Sequence, residues 1–519
     1  MRIGWQGFAK QIGYRIVPKF VHWGSSALES LLKEDKNRGQ LLYWFTYPNF
    51  NRERCVQLSR ATIIQLGDRY IPGLHTPTEC EDQIHIFLRT ERSRKTFLDE
   101  TREAIRHEDL GCLATEKDWP DECKKLIGDC RDGWLAFCDG FGDGVSFPES
   151  FALLANKGKV YQDHRHKLFK RLWAEVQKLA PQPLDQFGDR HPSPLEKDAN
   201  AVGRNDGTFK AYIERLNNDF GLADTPFLLV SGEAGSGKSH TLAEICSRYL
   251  ESGGVALFSD GGQFPSIEYP WNQFLKWADF TDGGVRNFLA CFSALAATTS
   301  LPGLICIDAL NETPNRDIWI NGLEKFAIEI QSFKNIKLLV SCRTDYLDLT
   351  VPGNVRQPKI ETWRHIQHEG LGLNVFEAVP KYLREYRVKG VGITPLTPEF
   401  SRPLMLKIFC EAFEDDTPPP GSLSLPRILE AYVNRKSENI AKRIGCAQSA
   451  VRDSLRDIAA KMLSSASLQL SERDVRSCLI SHYPQAEESK SLYRALLAEG
   501  ILAEFTELLP WRVDHFSKK

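Results

Sequence analysis

Short apolar runs alternate with amphipathic segments through the middle of the sequence. Three of these runs are Phe227–Val230, Val255–Phe258 and Ile336–Val340, and a fourth, Gly303–Asp308, ends on a carboxylate. Buried parallel strands are apolar along their whole length, and the helices between them form the crossovers. The pattern therefore predicts an α/β fold, with a parallel, doubly wound sheet and helices on both faces.

The segments on either side of this region are predicted to be mostly helical. Before it, apolar residues recur at helical spacing in three stretches, Gln83–His107, Glu122–Phe137 and Val160–Leu179. After about residue 375 the pattern is helical again. The final part predicts a helix at Val451–Leu463, a short second helix and a third at Ser489–Leu502, followed by a β-wing at 501–513. We therefore predict a winged helix at the end of the chain.

A proline-dense, polar stretch at 181–194 marks one domain boundary. We predict five units: a small α/β segment at 1–77, a helical region at 78–195, the sheet domain at 196–372, a helical domain at 373–446 and a winged-helix domain at 447–519. Residues 1–77 contain no spaced nuclease carboxylates, no Ser-His-Asp arrangement and no dinucleotide-binding glycines. No effector chemistry is predicted there.

Composition narrows the class of protein. The chain has 519 residues, enough for about three or four domains, and its net charge of −2 gives no general electrostatic case for nucleic acid or membrane binding. The 13 cysteines include no C-x-x-C pair, and Cys306 lies inside an apolar strand pattern, which is typical of a reducing compartment. With no membrane-length apolar run and no signal peptide, the sequence predicts a cytoplasmic protein.

A glycine-rich turn between the first strand and a helical segment carries the most specific chemistry. The sequence Gly232–Ser239 fits G-x-x-x-x-G-K-[ST] in the strand–loop–helix context of a phosphate-binding P-loop, although a glycine-rich turn can match by chance. Glycines let successive N–H groups face phosphate oxygens, and the helix N-terminus adds its positive dipole. The residues predicted to bind ATP here are Gly232, Glu233, Ala234, Gly235, Ser236, Gly237, Lys238, Ser239 and His240.

Further polar residues follow the later strands. We expect Asp308 and the Ser239 hydroxyl to hold Mg²⁺, because hard cations prefer oxygen ligands and open α/β sheets bind ligands at the carboxyl ends of strands. Lys238 is predicted to contact the β- and γ-phosphates, Glu312 to position or deprotonate the attacking water, and Arg343 to sense the γ-phosphate. The alternatives are a strand-ending turn for Asp308, an exposed acid for Glu312 and a surface ion pair for Arg343.

Other charged or polar clusters are interpreted as structural. His164 and His166 in the run 163–167 point in different directions on a helix, which favours a solvated charged face over a metal site. Arg69 and Tyr70 are interpreted as a helix end that packs a tyrosine. The third helix of the predicted winged helix carries Glu499 and few basic residues, so DNA binding is not expected and a packing or oligomerisation role is favoured.

With these residues in hand, the chain resembles the STAND NTPases, in which a NACHT-like P-loop domain precedes a helical domain and a winged helix, and among them the bacterial anti-phage AVAST (Avs) proteins. The similar segments are Gly232–His240, Ile307–Glu312, Leu339–Arg343, Glu399–Cys410 and Asp68–Leu74. The resemblance implies that Pro403 contacts the base side of the nucleotide and that Val202–Arg204 belongs to an adenine pocket. The chain departs from the family at Asn311, where an aspartate is common, and at Arg402, where an asparagine usually precedes the proline.

The sequence therefore predicts an ATP-binding, ATP-hydrolysing switch that binds ATP or ADP and forms homo-oligomers when activated. The resemblance implies anti-phage defence, with a phage protein as trigger and a separate effector. No repeat of 30–45 residues is present, so this chain is expected to lack its own sensor and effector. Two alternatives stay open: a P-loop ATPase with a DNA-binding winged helix, and a non-hydrolysing scaffold held together by nucleotide.

Overall fold

The structure is a computed structural model that describes residues 50–107, 119–139, 149–179, 192–204, 206–281, 283–299, 301–357, 362–389, 398–419, 424–465, 470–482, 492–497, 499 and 501–502. The proline-dense segment up to residue 191 and nearly all of the predicted wing lie outside these residues. None of the helices in the described ranges combines the length and apolar character that a membrane crossing requires.

Five parallel strands form the central sheet. They are β1 Phe227–Gly232, β2 Ala256–Asp260, β3 Gly303–Asp308, β4 Ile336–Arg343 and β5 Trp363–Gln367, in the spatial order β2-β3-β4-β1-β5. The first four lie where the apolar runs predict them, which confirms the α/β fold with a parallel sheet. The pattern did not predict β5, because this edge strand is only half-buried and its sequence is largely polar.

Helices precede, connect and follow the strands. Those before β1 are α1 Arg52–Gln65, α2 Glu79–Phe87, α3 Glu91–His107, α4 Asp121–Asp139, α5 Glu149–Val176, α6 Pro194–Arg204 and α7 Asp206–Asp224. Those between strands are α8 Lys238–Glu251, α9 Pro270–Trp277, α10 Gly284–Ala296, α11 Asp317–Gln331, α12 Leu347–Thr350 and α13 Gly353–Arg356. Those after β5 are α14 Val375–Glu385, α15 Pro403–Ala412, α16 Leu425–Ile444, α17 Gln448–Ser464 and α18 Glu472–His482.

The sheet buries both faces, because successive strand residues point to opposite sides. On one face Leu229 and Ile305 pack with the aromatic side chains of α9, α10 and α11. On the other, Leu228 and Cys306 pack with α8 and α2. This two-sided burial explains why the strands are uniformly apolar, and it confirms the prediction of helices on both faces.

Helix α1 lies along the edge strand β2. The buried Ser59 hydroxyl donates to the Ala256 carbonyl and accepts from the Phe258 N–H, each at 3.0 Å. A single side chain thus satisfies two backbone groups that an edge strand would otherwise leave unpaired. Helix α1, which precedes the helical region, therefore packs directly on the sheet.

Helices α4 to α7 share a separate core, which includes Tyr161, Val202 and Leu216. The interpretation of residues 163–167 as a solvated face is wrong in part. Arg165 is buried and its Nε donates to the Val202 carbonyl at 2.8 Å, and half-buried His164 contacts the Asp129 carbonyl at 2.9 Å. These contacts join α5 to α6 and α4. They also give each polar group a partner, and a buried donor without a partner would destabilise the fold.

The C-terminal helices form two further cores. Helices α14, α15 and the start of α16 enclose Phe400 and Phe409, together with Leu74 from the segment before α2. The rest of α16 packs with α17, α18 and a helical segment at 492–497. Helix α17 covers the predicted helix Val451–Leu463, α18 is the predicted short second helix, and the segment at 492–497 lies within the predicted third helix. Glu499 pairs with Lys436 of α16 at 3.4 Å, so its charge supports the contact with that helix.

Candidate functional site

A glycine-rich loop, defined here as residues 232–237, connects β1 to α8 at the carboxyl edge of the sheet. Gly235 and Gly237 have φ angles of +73° and +102°, a region that strongly favours glycine. Gly237 is the N-cap of α8, so the positive end of the helix dipole faces the loop. Gly235 and Gly237 thus serve the predicted turn, Gly232 ends β1, and Lys238 and Ser239 open the helix as predicted.

The start of helix α15 lies directly against this loop. The Leu404 N–H donates to the Gly235 carbonyl at 3.3 Å, and Arg402 forms an ion pair with Glu233. A Cβ added to Gly235 would lie 2.6 Å from the Leu404 Cβ, and one added to Gly237 would lie 3.2 Å from Pro403. Pro403 therefore contacts the loop, and Arg402, one of the two departures from the family pattern, binds the loop's own carboxylate.

Replacing Gly235 by alanine is expected to destabilise the protein more than replacing Gly253. Both have positive φ, of +73° and +94°, which disfavours alanine by about 1–2 kcal/mol. Only Gly235 would place its new methyl group against Leu404, which adds about 1–3 kcal/mol of overpacking, whereas nothing lies within 4 Å of Gly253. Urea unfolding of both variants measures the difference, and equal free energies would show that α15 leaves the loop in solution.

The Lys238 ammonium is turned back on the loop that carries it. Its Nζ donates to the Gly232 and Glu233 carbonyls at 2.8 Å each and lies 3.4 Å from the Ser236 hydroxyl. Burial lowers the pKa of Lys238, and the charge of Asp308 opposes that shift. The lysine is thus a buried cation at the centre of the loop. It is held by neutral carbonyl groups, which an anionic partner would replace.

Asp308 is a fully buried carboxylate at the end of β3. Its Oδ1 accepts a hydrogen bond of 2.5 Å from the Ser341 hydroxyl of β4, while Oδ2 is buried and has no hydrogen-bonding partner among the described residues. Burial raises the pKa of this carboxyl, and the nearby hydroxyls of Ser239 and Ser341 oppose the rise. An unpartnered buried oxygen beside a serine hydroxyl is a donor set that suits a hard cation.

Glu312 lies in a short turn after β3, which Ala309 enters with a φ of +51°. Both carboxylate oxygens accept from Nη1 of Arg69, at 3.0 and 2.8 Å. The carboxylate is thus bound by a residue from the segment between α1 and α2. Arg69 ends a short 3₁₀ helix, Gly67–Arg69, and Tyr70 packs on the core that α8 shares with α2, which confirms the interpretation of a helix end that packs a tyrosine. That interpretation did not include the contact of the Arg69 side chain with a residue far away in the sequence.

Arg343 ends β4 beside the same turn. Its guanidinium pairs with Asp345 at 2.8 Å and lies over the Tyr346 ring. Its backbone N–H donates to the Asn311 side-chain oxygen at 2.9 Å. Asn311, the other departure from the family pattern, thus holds the turn after β3 to β4, a role that needs only an acceptor oxygen.

His240 lies within reach of the site, but its ring turns away from the loop. It stacks on His75, with centroids 5.6 Å apart and planes 6° from parallel, and meets Tyr70 edge-on at 5.1 Å. Burial and the neighbouring His75 lower the pKa of His240 to about 4, so the ring is neutral at pH 7. The imidazole thus packs against the segment that carries Arg69.

These residues surround one cavity of about 430 Å³, a volume within the usual range for small-molecule sites. Its polar and charged lining includes Lys238, Ser239, Asp308, Glu312 and Arg343. Its apolar and aromatic lining includes Ile71, Leu74, Tyr382, Pro403 and Leu404. The cavity is thus lined by the glycine-rich loop, the carboxyl ends of the strands, α15 and the segment before α2.

One predicted feature lies outside this arrangement. Val202 belongs to the core of the N-terminal helices, and the Val202–Arg204 segment does not line the cavity. The described residues also contain no cluster of three or more His, Cys, Asp or Glu side chains that could hold a metal ion. A metal bound at Asp308 and Ser239 would need its remaining ligands from water or from the bound molecule.

A larger groove of about 1160 Å³ lies at the opposite, amino-terminal edge of the sheet. Several of its basic side chains have protein partners: Arg89 pairs with Asp224, Arg92 with Glu81 and Asp82, and Lys337 donates to backbone carbonyls. The candidate site is therefore the smaller cavity, where a buried carboxylate oxygen and a buried ammonium converge.

No protein-family model matches this chain, and no curated protein sequence matches it significantly. The argument for function therefore depends on the motifs and on the geometry of the cavity.

Sequence reasoning missed three contributors to the site. Ser341 directly follows the apolar run Ile336–Val340 in β4, and its hydroxyl joins Asp308 to β4 and accepts from the Ala309 N–H at 2.8 Å. Leu404 packs on the loop, and Arg69 binds Glu312. A polar residue directly after an apolar run was the only local signal for Ser341, and no local pattern marks the other two.

Proposed function

We propose that this protein binds and hydrolyses ATP with Mg²⁺, as a P-loop NTPase of the STAND class. The observation that carries the proposal is the fully buried Asp308, whose Oδ2 has no hydrogen-bonding partner among the described residues, while Ser239 and Lys238 lie beside it. A buried carboxylate without a strong partner is unfavourable unless a cation binds it. The glycine-rich loop supports the same conclusion, because it opens a helix whose N-terminus suits phosphate.

The residues fit both proposed ligands. Asp308 and Ser239 offer Mg²⁺ a carboxylate and a hydroxyl oxygen, and the loop offers phosphate oxygens the N-terminus of α8 and the Lys238 ammonium. A side chain at Gly235 or Gly237 would fill the space next to Pro403 and Leu404. The apolar side chains in the lining, among them Tyr382 and Pro403, suit a nucleobase and agree with the base-side role that the resemblance implies for Pro403.

The side chains have separate tasks in this proposal. Lys238 exchanges its loop carbonyls for phosphate oxygens and neutralises their charge. Asp308 and Ser239 would hold Mg²⁺, which would neutralise negative charge on the phosphates. Glu312, once free of Arg69, accepts a proton from the attacking water, and Arg343 turns from Asp345 toward the γ-phosphate. Lys238 and Arg343 thus exchange an internal partner for a more highly charged one, whereas Glu312 exchanges Arg69 for water.

The position of α15 supports a role as a switch. Arg402, Pro403 and Leu404 contact the loop directly, so the helical segment and the loop respond to the same ligand. Differential contact with two nucleotide states is the physical requirement for such a response. We extend the proposal, by resemblance, to nucleotide-controlled oligomerisation in anti-phage defence, with a phage protein as trigger and a separate effector.

A non-hydrolysing, nucleotide-held scaffold is the second candidate. It is favoured by one contact, the pairing of Arg69 Nη1 with Glu312, which occupies both oxygens of the proposed base. Release of phosphate from purified protein with ATP and Mg²⁺ distinguishes the two, measured beside titrations of ATP and ADP. Turnover supports the switch, tight binding without turnover supports the scaffold, and absence of binding contradicts both.

Asp308→Asn is expected to make the ligand-free protein more stable while removing its response to Mg²⁺. Burial raises the pKa of Asp308 above its ordinary 3.8, so the ionised form destabilises the fold at neutral pH, and this penalty disappears as the pH falls toward 3.8. The neutral asparagine avoids the penalty, so we expect an unfolding temperature above that of the parent.

The parent should gain thermal stability from Mg²⁺ and ATP together, and the Asp308→Asn variant should not. Asp279→Asn is the matched control, because Asp279 pairs with Arg54 on the surface with 76% of its side chain exposed. Thermal unfolding at pH 7.5, with and without ligand, measures both effects. An asparagine variant that Mg²⁺-ATP stabilises as much as the parent would contradict the assignment of Asp308 to the metal.

A further inference from the structure

The segment 67–78, here called the hinge segment, connects the cavity to two different parts of the fold. On the α8 side, the Tyr70 hydroxyl donates to Glu244 at 2.6 Å and His75 stacks on His240. The segment precedes the helical region, and its first residue, Gly67, has a φ of +52° with open space around it. Arg69 thus lies on a stretch of chain that packs against the helix following the glycine-rich loop.

The other side of the hinge segment is bound by the C-terminal helices. Lys407 donates to the Asp68 carbonyl at 2.8 Å, Lys381 to the His75 carbonyl at 2.9 Å, and Asn374 to the Pro77 carbonyl at 2.7 Å. Leu74 is buried in the core of α14 and α15. A movement of Arg69 would therefore disturb contacts with α8 and with the C-terminal helices together.

Arg69 is a cation facing a site that is rich in carboxylates. Partial burial disfavours its charge, but the hydrogen bonds to Glu312 and the nearby Asp308 and Asp260 outweigh this effect and raise the pKa of Arg69. Only Nη1 is used by Glu312, and 56% of the side chain is exposed. The remaining guanidinium nitrogens have no hydrogen-bonding partner among the described residues, so the fork retains donors for a second acceptor.

We propose that Arg69 is a ligand of the terminal phosphate of a bound nucleoside triphosphate, and that it leaves Glu312 when it binds that phosphate. The inference rests on the proposed function. A guanidinium fork pairs with phosphate in bidentate geometry, and the terminal phosphate carries more charge than the carboxylate that it replaces. The exchange frees the oxygens of Glu312 for water, and it draws the hinge segment toward the phosphate.

The consequence is that the triphosphate and diphosphate states differ at the hinge segment. With a diphosphate, Arg69 has no terminal phosphate to bind and stays on Glu312. With a triphosphate, Arg69 is drawn from Glu312 and its neighbours Asp68 and Tyr70 move with it, against Lys407 and Glu244. The hinge segment thus reports the third phosphate to both sets of helices.

Arg69→Ala is expected to weaken ATP binding about 10- to 100-fold, the usual effect of losing hydrogen bonds to a charged group, and to change ADP binding by less than about 3-fold. Arg69→Lys should lie between, because it keeps the charge but not the fork. Arg54→Ala is the control, since Arg54 pairs with exposed Asp279. Affinities are measured by calorimetry with ATP, a non-hydrolysable ATP analogue and ADP, after circular dichroism has checked folding.

A second variant tests the same exchange of Arg69 between Glu312 and phosphate, and it is expected to strengthen nucleotide binding. Glu312→Gln removes the charge that competes for Arg69, so it should tighten binding of the non-hydrolysable analogue severalfold, and this gain should vanish when Arg69 is alanine. A misfolded variant would not produce such a gain. Equal ATP and ADP losses in Arg69→Ala, or a Glu312→Gln gain that persists without Arg69, would overturn the inference alone. A parent chain that binds neither nucleotide would overturn the proposed function with it.

Discussion

Lys238→Ala is expected to abolish measurable ATP binding, with a loss of affinity on the order of 10³-fold. The ammonium is buried at the centre of the loop, and removing the charged partner of a desolvated anion commonly destabilises the pair by about 3–5 kcal/mol. The variant also leaves the Gly232 and Glu233 carbonyls without the donor they have in the parent. Ser239→Ala should reduce affinity as well, and chiefly in the presence of Mg²⁺.

Lys276→Ala serves as the control for Lys238. It removes an ammonium from an exposed pair with Glu268, so ATP affinity should match the parent. Calorimetric titration with ATP and Mg²⁺ measures all three variants, and urea unfolding verifies that each is folded. Near-parent affinity in both Lys238→Ala and Ser239→Ala would show that the glycine-rich loop does not bind the phosphates.

Glu312→Gln is expected to slow ATP turnover by about 10²-fold or more while ATP binding persists. Glutamine retains the size and the acceptor oxygen of the side chain but cannot take a proton from water. Because ATP then stays bound, the ATP-bound assembly should accumulate, which size-exclusion chromatography with ATP would detect as a larger species. The tighter nucleotide binding and the slower turnover expected for Glu312→Gln thus both result from removing the same carboxylate.

Glu329→Gln, an exposed change on α11, is the matched control for this variant and should turn over ATP at the parent rate. Phosphate release at saturating ATP gives kcat, and its concentration dependence gives KM. Parent-like turnover by Glu312→Gln would move the role of base to another residue, either Asp308 or a side chain from a neighbouring copy of the chain. It would leave the binding role of the loop unaffected.

Local pattern accounts for the sheet and for the order of the helices. The strands β1 to β4 are apolar because both faces of the sheet are covered, so each appears in the sequence as an uninterrupted run. The edge strand β5 has a weaker pattern because only Trp363 is buried along it. Residues 163–167 were misinterpreted in part for a different reason. A charged run in the sequence does not reveal that Arg165 donates to a backbone carbonyl on a neighbouring helix.

The sequence by itself determined the glycine-rich loop, the lysine and serine that open α8, and the carboxylate at the end of β3. These features depend on residues close together in the chain, where spacing and residue type are sufficient. Only the tertiary structure decided what Arg69, Ser341 and Leu404 do, because each contacts a partner on another element, and Arg69 lies 243 positions from Glu312. Contacts of that kind arise from packing and leave no periodic pattern in the chain.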